Sequence, residues 1–225
     1  MEVLRKICRA IVKPLCHLAA LIIYRVKIEG IENVPKNSAC IVCGNHVHAL
    51  DAPALLAVTN RKIRFMAKEE LWKSVGFRFM AFVFYVFPVK RGKNDTDAIK
   101  TSIKILKSNE ILGIYPEGTR HGMDKGIKPK NGAVTLALRN NVPIIPFAVI
   151  GDFKPFTKVT YRFGKPMDFS EYKDKAKDKE TLDMLTSQVM KEVLKLRDGE
   201  KTEGFSLKVS SRFTGTYKYK TNFPK

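Results

Sequence analysis

The feature that most limits how this chain can fold is an alternation, from Arg25 onward, of short apolar runs with stretches of helical period. Residues 38–43, 63–67, 85–89, 111–115, 143–150 and 159–163 read as strands. Between them, residues 52–58, 68–84 and 132–140 read as helices. A further helix, capped by Asp95 or Asp97, carries Ile99, Ile103 and Leu106 on one face, and a long one from Ser170 carries Leu182, Leu185, Val189, Val193 and Leu196. Strands separated by helices return in the same direction, so the pattern predicts an α/β domain with a mostly parallel central sheet and flanking helices. The 225 residues are enough for one domain with a sizeable core and an appended element. We place the α/β domain at residues 26–200.

The appended element is residues 1–25. Val3, Ile7, Ile11, Leu15, Leu18 and Ile22 recur at helical spacing, and Arg5, Arg9 and Lys13 fall on the opposite side. The purely apolar part, residues 15–24, is shorter than the roughly 20 residues a spanning helix needs. No small-residue cleavage site follows it, because Arg25 and Lys27 come next. The expectation is a helix lying at a membrane interface, apolar face in the acyl region and basic face toward anionic headgroups. Packing of the same helix on the protein's own core is compatible with this. Pro14 is expected to kink the helix or divide it into a pair. At the other end, residues 201–225 mix Lys and Arg with Phe205, Phe213, Tyr217, Tyr219 and Phe223, a basic-aromatic tail or terminal pair of strands.

Cys40 and Cys43 form a C-x-x-C, which invites a zinc or redox reading. On a strand, residues three apart face opposite sides, and no second ligand pair exists. They read as small core residues in a reducing compartment, and no metal is expected.

Charge narrows the partners. With 41 basic and 22 acidic side chains the chain carries +19, which suits nucleic acid, an anionic membrane, or an acidic protein or phosphorylated substrate. No nucleic-acid-binding module is recognisable, so no nucleic acid is expected as a partner.

The chemistry-bearing residues cluster where strands end. Gly44-Asn45-His46-Val47-His48-Ala49-Leu50-Asp51 follows one predicted strand and precedes a helix, the junction where open α/β sheets build their sites. On a continuous helix His46 and Asp51 would lie about 140° apart, so they meet only if a turn separates them. Given that turn, Asp51 holds one ring nitrogen of His46 and the other faces the cleft as a base. Tyr115-Pro116-Glu117-Gly118-Thr119-Arg120 makes a polar turn after another strand, with a guanidinium suited to phosphate. Lys90 and Arg91 follow a third strand. Residues 142–147, with Pro143 and Pro146, either line an acyl channel or form a core strand.

Together these blocks resemble the 1-acylglycerol-3-phosphate acyltransferase family, the bacterial type often called PlsC. Asn45, His46 and Asp51 match its N-H-x4-D motif, and Lys90-Arg91-Gly92 resembles its glycerol-phosphate-binding motif. Glu117-Gly118-Thr119-Arg120 matches E-G-T-R, and the Pro143-to-Phe147 run resembles its proline-containing fourth motif. The likeness covers roughly residues 26–166 with block order intact. The chain departs at His48 and His121, where the family often has Ser, and this leaves open whether His48 assists His46 or perturbs it.

The resemblance implies a glycerolphosphate acyltransferase-like fold and transfer of a fatty acyl group to the 2-hydroxyl of lysophosphatidic acid, giving phosphatidic acid. The donor would be acyl-CoA or acyl-carrier protein, used as co-substrate with no resident cofactor. His46 would be general base, oriented by Asp51, in a direct transfer; the alternative of a covalent intermediate on Cys43 is disfavoured by its expected burial. Arg91 and Arg120, with Lys90 or Lys68 as helpers, would grip the acceptor phosphate. Glu117 would bond a glycerol hydroxyl or orient Arg120, Gly118 and Thr119 would belong to the same phosphate- and glycerol-binding turn, and backbone N–H groups near Gly118 would face the oxyanion. The expected place is the cytoplasmic face of an anionic membrane. Glycerol-3-phosphate and other lysophospholipids remain open as acceptors. A non-catalytic membrane-binding protein is the alternative of another class.

Overall fold

A computed structural model describes residues 1–90 and 95–199; Arg91 and the 201–225 tail lie outside the described residues. Among those described, seven strands form one sheet: β1 (Lys27–Glu29), β2 (Cys40–Gly44), β3 (Ile63–Lys68), β4 (Phe87–Val89), β5 (Ile111–Ile114), β6 (Ile144–Ile150) and β7 (Thr160–Phe163). Their order is β1-β7-β6-β2-β5-β3-β4. β6, β2, β5, β3 and β4 run parallel, while β7 is antiparallel to β6 and β1 parallel to β7. The C-terminal ends of the five parallel strands therefore open on one edge, where the His46 loop follows β2 and the Glu117 turn follows β5.

Helices cover both faces. α1 (Glu2–Ile23), α2 (Asp51–Val58) and α3 (Val75–Phe84) lie on one side, where Ala20, Leu55, Leu56, Val83 and Phe84 pack on Cys40 and Val42. α4 (Thr96–Lys107), α5 (Gly132–Asn140) and α6 (Lys179–Asp198) lie on the other, packing Ile105, Leu106, Val134, Leu185 and Val189 on Ile41 and Cys43. The alternating faces of β2 thus feed two separate cores. Cys40 and Cys43 fall in different ones, and both are free thiols.

Several boundaries differ from expectation. The 68–84 segment is a 3-10 turn (Glu69–Lys73) followed by α3, because the Ser74 hydroxyl accepts from the Phe77 N–H and starts a new helix. Tyr85 adopts a left-handed conformation (φ 59°) that ends α3, so β4 starts two residues later than expected. Asp95, rather than Asp97, caps α4. The long C-terminal helix starts at Lys179, where Asp178 caps it; Ser170 opens only a 3-10 turn. β1 was too short to show a period of two.

α1 requires two corrections. It runs unbroken through Pro14, so it is one helix and not a pair. The proline removes one helical bond, and side chains on both sides of it pin the helix to the body. Arg9 Nη1 donates to Val83 O at 3.4 Å, Lys13 Nζ to Thr59 O at 2.6 Å, and His17 Nδ1 to Ala57 O at 3.3 Å. These carbonyls lie at the C-terminal ends of α3 and α2, where a helix leaves acceptors without partners and favours positive charge. The basic face therefore turns inward, against the expectation that it meets headgroups. What faces out is the apolar stripe: Val3, Ile7, Ile11, Leu15, Leu18 and Ile22 are all exposed, between 54% and 72%. Among the described residues no helix is long and apolar enough to cross a membrane.

Candidate active site

β2 ends at Gly44, which lets the chain pass close over Phe147 of β6; a Cβ there would sit 2.5 Å from that ring. The next residue continues the pairing by side chain. Asn45, buried, donates from Nδ2 to Val149 O at 3.0 Å and accepts the Val149 N–H at 2.7 Å. This latch fixes the point at which the chain leaves the sheet. Residues 45–50 then turn before α2 begins at Asp51, and the turn brings His46 and Asp51 together as the sequence required.

Asp51 is fully buried, and its Oδ2 gathers three donors: His46 Nδ1 at 2.8 Å, Val47 N at 2.7 Å and His48 N at 3.0 Å. A carboxylate oxygen only accepts, so the neutral His46 ring carries its proton on Nδ1 and offers Nε2 as an acceptor. The His46 ring, 19% exposed, stacks on Tyr115 with centroids 4.4 Å apart and planes at 14°. Tyr115 in turn stacks on Phe65. Burial, then the Asp51 charge and Tyr161, push the Tyr115 hydroxyl well above its ordinary value, so this wall stays neutral. The Tyr161 hydroxyl donates to Asp51 O at 2.8 Å, tying β7 to the start of α2.

His48 does something different. Its Nδ1 accepts the Leu50 N–H at 3.2 Å and its ring stacks on Phe153 at 5.2 Å. The departure from the family pattern is absorbed by local packing.

Glu117 is the main correction. The resemblance implied a bond to a glycerol hydroxyl or to Arg120, but Glu117 is 3% exposed, and its two oxygens accept from His46 N at 2.9 Å and Met123 N at 2.8 Å. Burial pushes this carboxyl up, while the backbone N–H groups of His46, Met123 and Gly122 pull it back. A second bond, His121 N to His46 O at 2.6 Å, joins the same two loops. Glu117 thus braces the histidine loop against the residue 117–123 turn. Gly118, at φ 65°, makes that turn possible, and its N–H donates to Tyr115 O at 3.0 Å rather than standing free for an oxyanion.

The cations lie around this rim. Arg120 is exposed, with no ion pair among the described residues, and Thr119 is half-buried. Lys68 and Lys90 project from the ends of β3 and β4, near Glu70 (3.0 Å) and Glu69 (3.9 Å); such exposed pairs are weak and exchangeable. Lys130 lies over the turn, its Nζ 3.6 Å from where a Gly118 Cβ would be. The Ile144-to-Val149 run is buried throughout, so it is a core strand. Among the described residues no cluster of His, Cys, Asp or Glu is arranged to hold a metal.

Burial pushes the Cys40 thiol up to about 12 and the Cys43 thiol higher still. Neither supplies a thiolate at neutral pH. Cys43→Ala is therefore expected to keep full activity per folded molecule, and a thiol-alkylating reagent is expected to leave both residues unlabelled, as mass spectrometry of the folded protein would read.

Known proteins resemble this chain in sequence and in fold. The chain is 35% identical over 127 residues to the 1-acyl-sn-glycerol-3-phosphate acyltransferase of Bacillus subtilis, covering 56% of this chain and 63% of that one. It is 28% identical over 154 residues to the chloroplastic 1-acyl-sn-glycerol-3-phosphate acyltransferase BAT2 of Brassica napus, covering 67% and 44%. The match thus spans less than two thirds of either relative. In structure it resembles the 1-acyl-sn-glycerophosphate (LPA) acyltransferase PlsC of Thermotoga maritima, with a TM-score of 0.62 at 27% identity over 87% of this chain and 82% of that one. The family model described as Acyltransferase matches residues 25–150, a stretch that holds β2, the His46 loop and the Glu117 turn, and this chain belongs to that family.

Proposed function

We propose that this protein transfers a fatty acyl group from a thioester, acyl-CoA or acyl-carrier protein, to the 2-hydroxyl of lysophosphatidic acid, giving phosphatidic acid. The observation that carries the reading is the His46–Asp51 pair at 2.8 Å, in which the neutral ring keeps its proton on Nδ1 and has Nε2 available to accept another. An alcohol is a poor nucleophile until its proton is taken. His46 Nε2 accepts that proton as the hydroxyl oxygen attacks the thioester carbonyl. Asp51 stabilises the imidazolium that forms. The tetrahedral intermediate then breaks its C–S bond, and the departing thiolate recovers the proton from His46. A thioester is already activated, so the chemistry calls for no acyl-enzyme and no resident metal or redox group.

Arg120, with Lys130 and the strand-end lysines Lys68 and Lys90, supplies positive charge for the acceptor phosphate, and Arg91 adjoins Lys90 in sequence. Holding the phosphate places the hydroxyl against His46, which is catalysis by positioning. The test is phosphatidic acid formation from lysophosphatidic acid and a long-chain acyl thioester in mixed micelles, with glycerol-3-phosphate as the competing acceptor. Preference for glycerol-3-phosphate would keep the chemistry and replace the acceptor; no product from either would remove the catalytic reading.

The partner surface is proposed to be the cytoplasmic face of an anionic membrane. The outward stripe of α1 supports this, because monomeric soluble proteins rarely expose so long an apolar band. The expected result is that Ile11→Glu with Leu15→Glu, both exposed and outside the core, abolishes co-sedimentation with anionic vesicles and leaves circular dichroism unchanged. Retained binding would count against α1 as the contact.

A further inference from the structure

Outside the acyl-transfer site, four cations and two carboxylates surround Tyr85. Arg5 sits with its guanidinium carbon 4.5 Å above the Phe82 ring and 4.6 Å above Tyr85. Arg9, Arg64 and Lys62 approach the same Tyr85 ring at 5.6, 5.1 and 3.9 Å. The carboxylates bonded to this group are Glu2, which accepts from the Tyr85 hydroxyl and pairs with Arg5, and Glu110, which takes both Lys62 and Arg64. The ring is held there by a left-handed backbone at Tyr85 (φ 59°), a conformation that costs a non-glycine residue energy and is kept only where the surroundings require it.

These residues open onto a cleft of about 290 Å³ along the edge strand β4, between α3 and α4. Arg5, Arg64 and Arg78 line it together with Trp72 and Phe82. Arg78 has no carboxylate partner among the described residues, and Arg5 Nε is buried with none. Burial pushes the Arg9 guanidinium down, and the facing Tyr85 partly offsets this. Apolar side chains flank the two arginines that lack full pairing. Val3 and Leu4 precede Arg5 on α1, and Val75 and Phe79 bracket Arg78 on α3, all exposed.

The geometry points to a second phosphate-binding site, separate from the acyl-transfer site, in which Arg5, Arg64 and Arg78 hold the phosphodiester headgroup of an anionic membrane lipid. Guanidinium forks suit phosphate oxygens, the aromatic walls suit the glycerol region, and the flanking apolar residues suit the acyl chains. This assignment rests on the membrane reading above, since a bilayer is where such headgroups are concentrated. It adds a contact that recognises lipid charge, whereas the α1 stripe recognises only apolar depth.

Trp72 is the single tryptophan of the chain, so intrinsic fluorescence reports this cleft directly. The experiment titrates the full-length protein, with no acyl donor, against phosphatidylcholine vesicles with and without phosphatidylglycerol, and against inorganic phosphate. Phosphatidylglycerol has no phosphomonoester, which keeps the signal apart from acceptor binding. A saturable Trp72 change is expected with phosphatidylglycerol vesicles, at about tenfold higher half-saturation in Arg78→Gln. Arg78 is exposed, so this variant should fold. Lys179→Gln, which removes the same charge from α6 on the opposite face of the sheet, should match the unsubstituted protein. An equal response in Arg78→Gln overturns the site. So does a protein that sediments with vesicles but shows no Trp72 change; in that case the membrane reading stands without it. An Arg78-dependent response to inorganic phosphate as strong as that to lipid would make this a free-phosphate site and overturn the lipid assignment. If the protein sediments with no vesicle, the membrane reading falls, and short-chain phosphatidylglycerol below its micelle threshold decides: an Arg78-dependent change keeps the site, and none removes it.

Discussion

His46→Ala is expected to lower turnover with lysophosphatidic acid by about 10²- to 10⁴-fold, the usual contribution of a positioned general base. The Michaelis constant for the acceptor should change little, because the phosphate is held by other residues. Asp51→Asn should lose activity on a similar scale for a different reason. In the native protein Asp51 Oδ2 accepts three N–H donors, and that carboxylate fixes the proton on His46 Nδ1. An amide nitrogen facing the same donors would repel them, and an amide oxygen would stabilise the imidazolium without a full charge. Asp51→Asn should therefore also melt earlier, whereas His46→Ala, at a partly exposed ring, should not. The comparison needs phosphatidic acid formation per folded molecule and a thermal melt of each variant. Full activity in His46→Ala would remove the proposed mechanism.

Glu117→Ala should act mainly on stability and on turnover. It leaves the N–H groups of His46 and Met123 without acceptors in a buried place, at roughly 1–3 kcal/mol each. For the two together that corresponds to a drop in Tm of roughly 4–24 °C for a domain of this size. The histidine loop then loses its brace, so kcat should fall while KM for lysophosphatidic acid stays near the native value. A substrate contact predicts the opposite split, with KM raised and Tm unchanged. One melt and one saturation curve separate the two roles. Glu117→Gln keeps one good acceptor, and should lie between the extremes.

The sheet and the position of the site were legible because both depend on local pattern. Apolar runs such as Ile144 to Ile150 mark buried parallel strands, and residues that follow such runs, His46 and Glu117 among them, fall on one edge by topology alone. The His46–Asp51 contact was legible for a similar reason, since five residues can meet only through one turn. Glu117 was not, because its partners are backbone N–H groups, one of them 71 residues away, and no residue pattern records a bond to backbone. The facing of α1 was hidden in another way. An amphipathic period identifies two faces but not which of them finds a partner. Here the C-terminal carbonyls of α2 and α3 draw Arg9, Lys13 and His17 inward, and those carbonyls exist only once the fold has formed. Ser74 shows the limit for single residues: one hydroxyl divides what the apolar period reads as a single helix.

The same inward contacts link α1 to the chemistry by a short mechanical path. Lys13 and His17 bond to the last carbonyls of α2, and Asp51 is the first residue of that eight-residue helix, about 12 Å away along its axis. On the proposed membrane the catalytic pair would be held at a set height above the leaflet, within reach of an acceptor whose acyl chain is still immersed. Such an enzyme responds to the mole fraction of lysophospholipid in the surface rather than to its amount in the tube. Diluting the acceptor with inert lipid, at constant total acceptor, would slow it as if substrate had been removed.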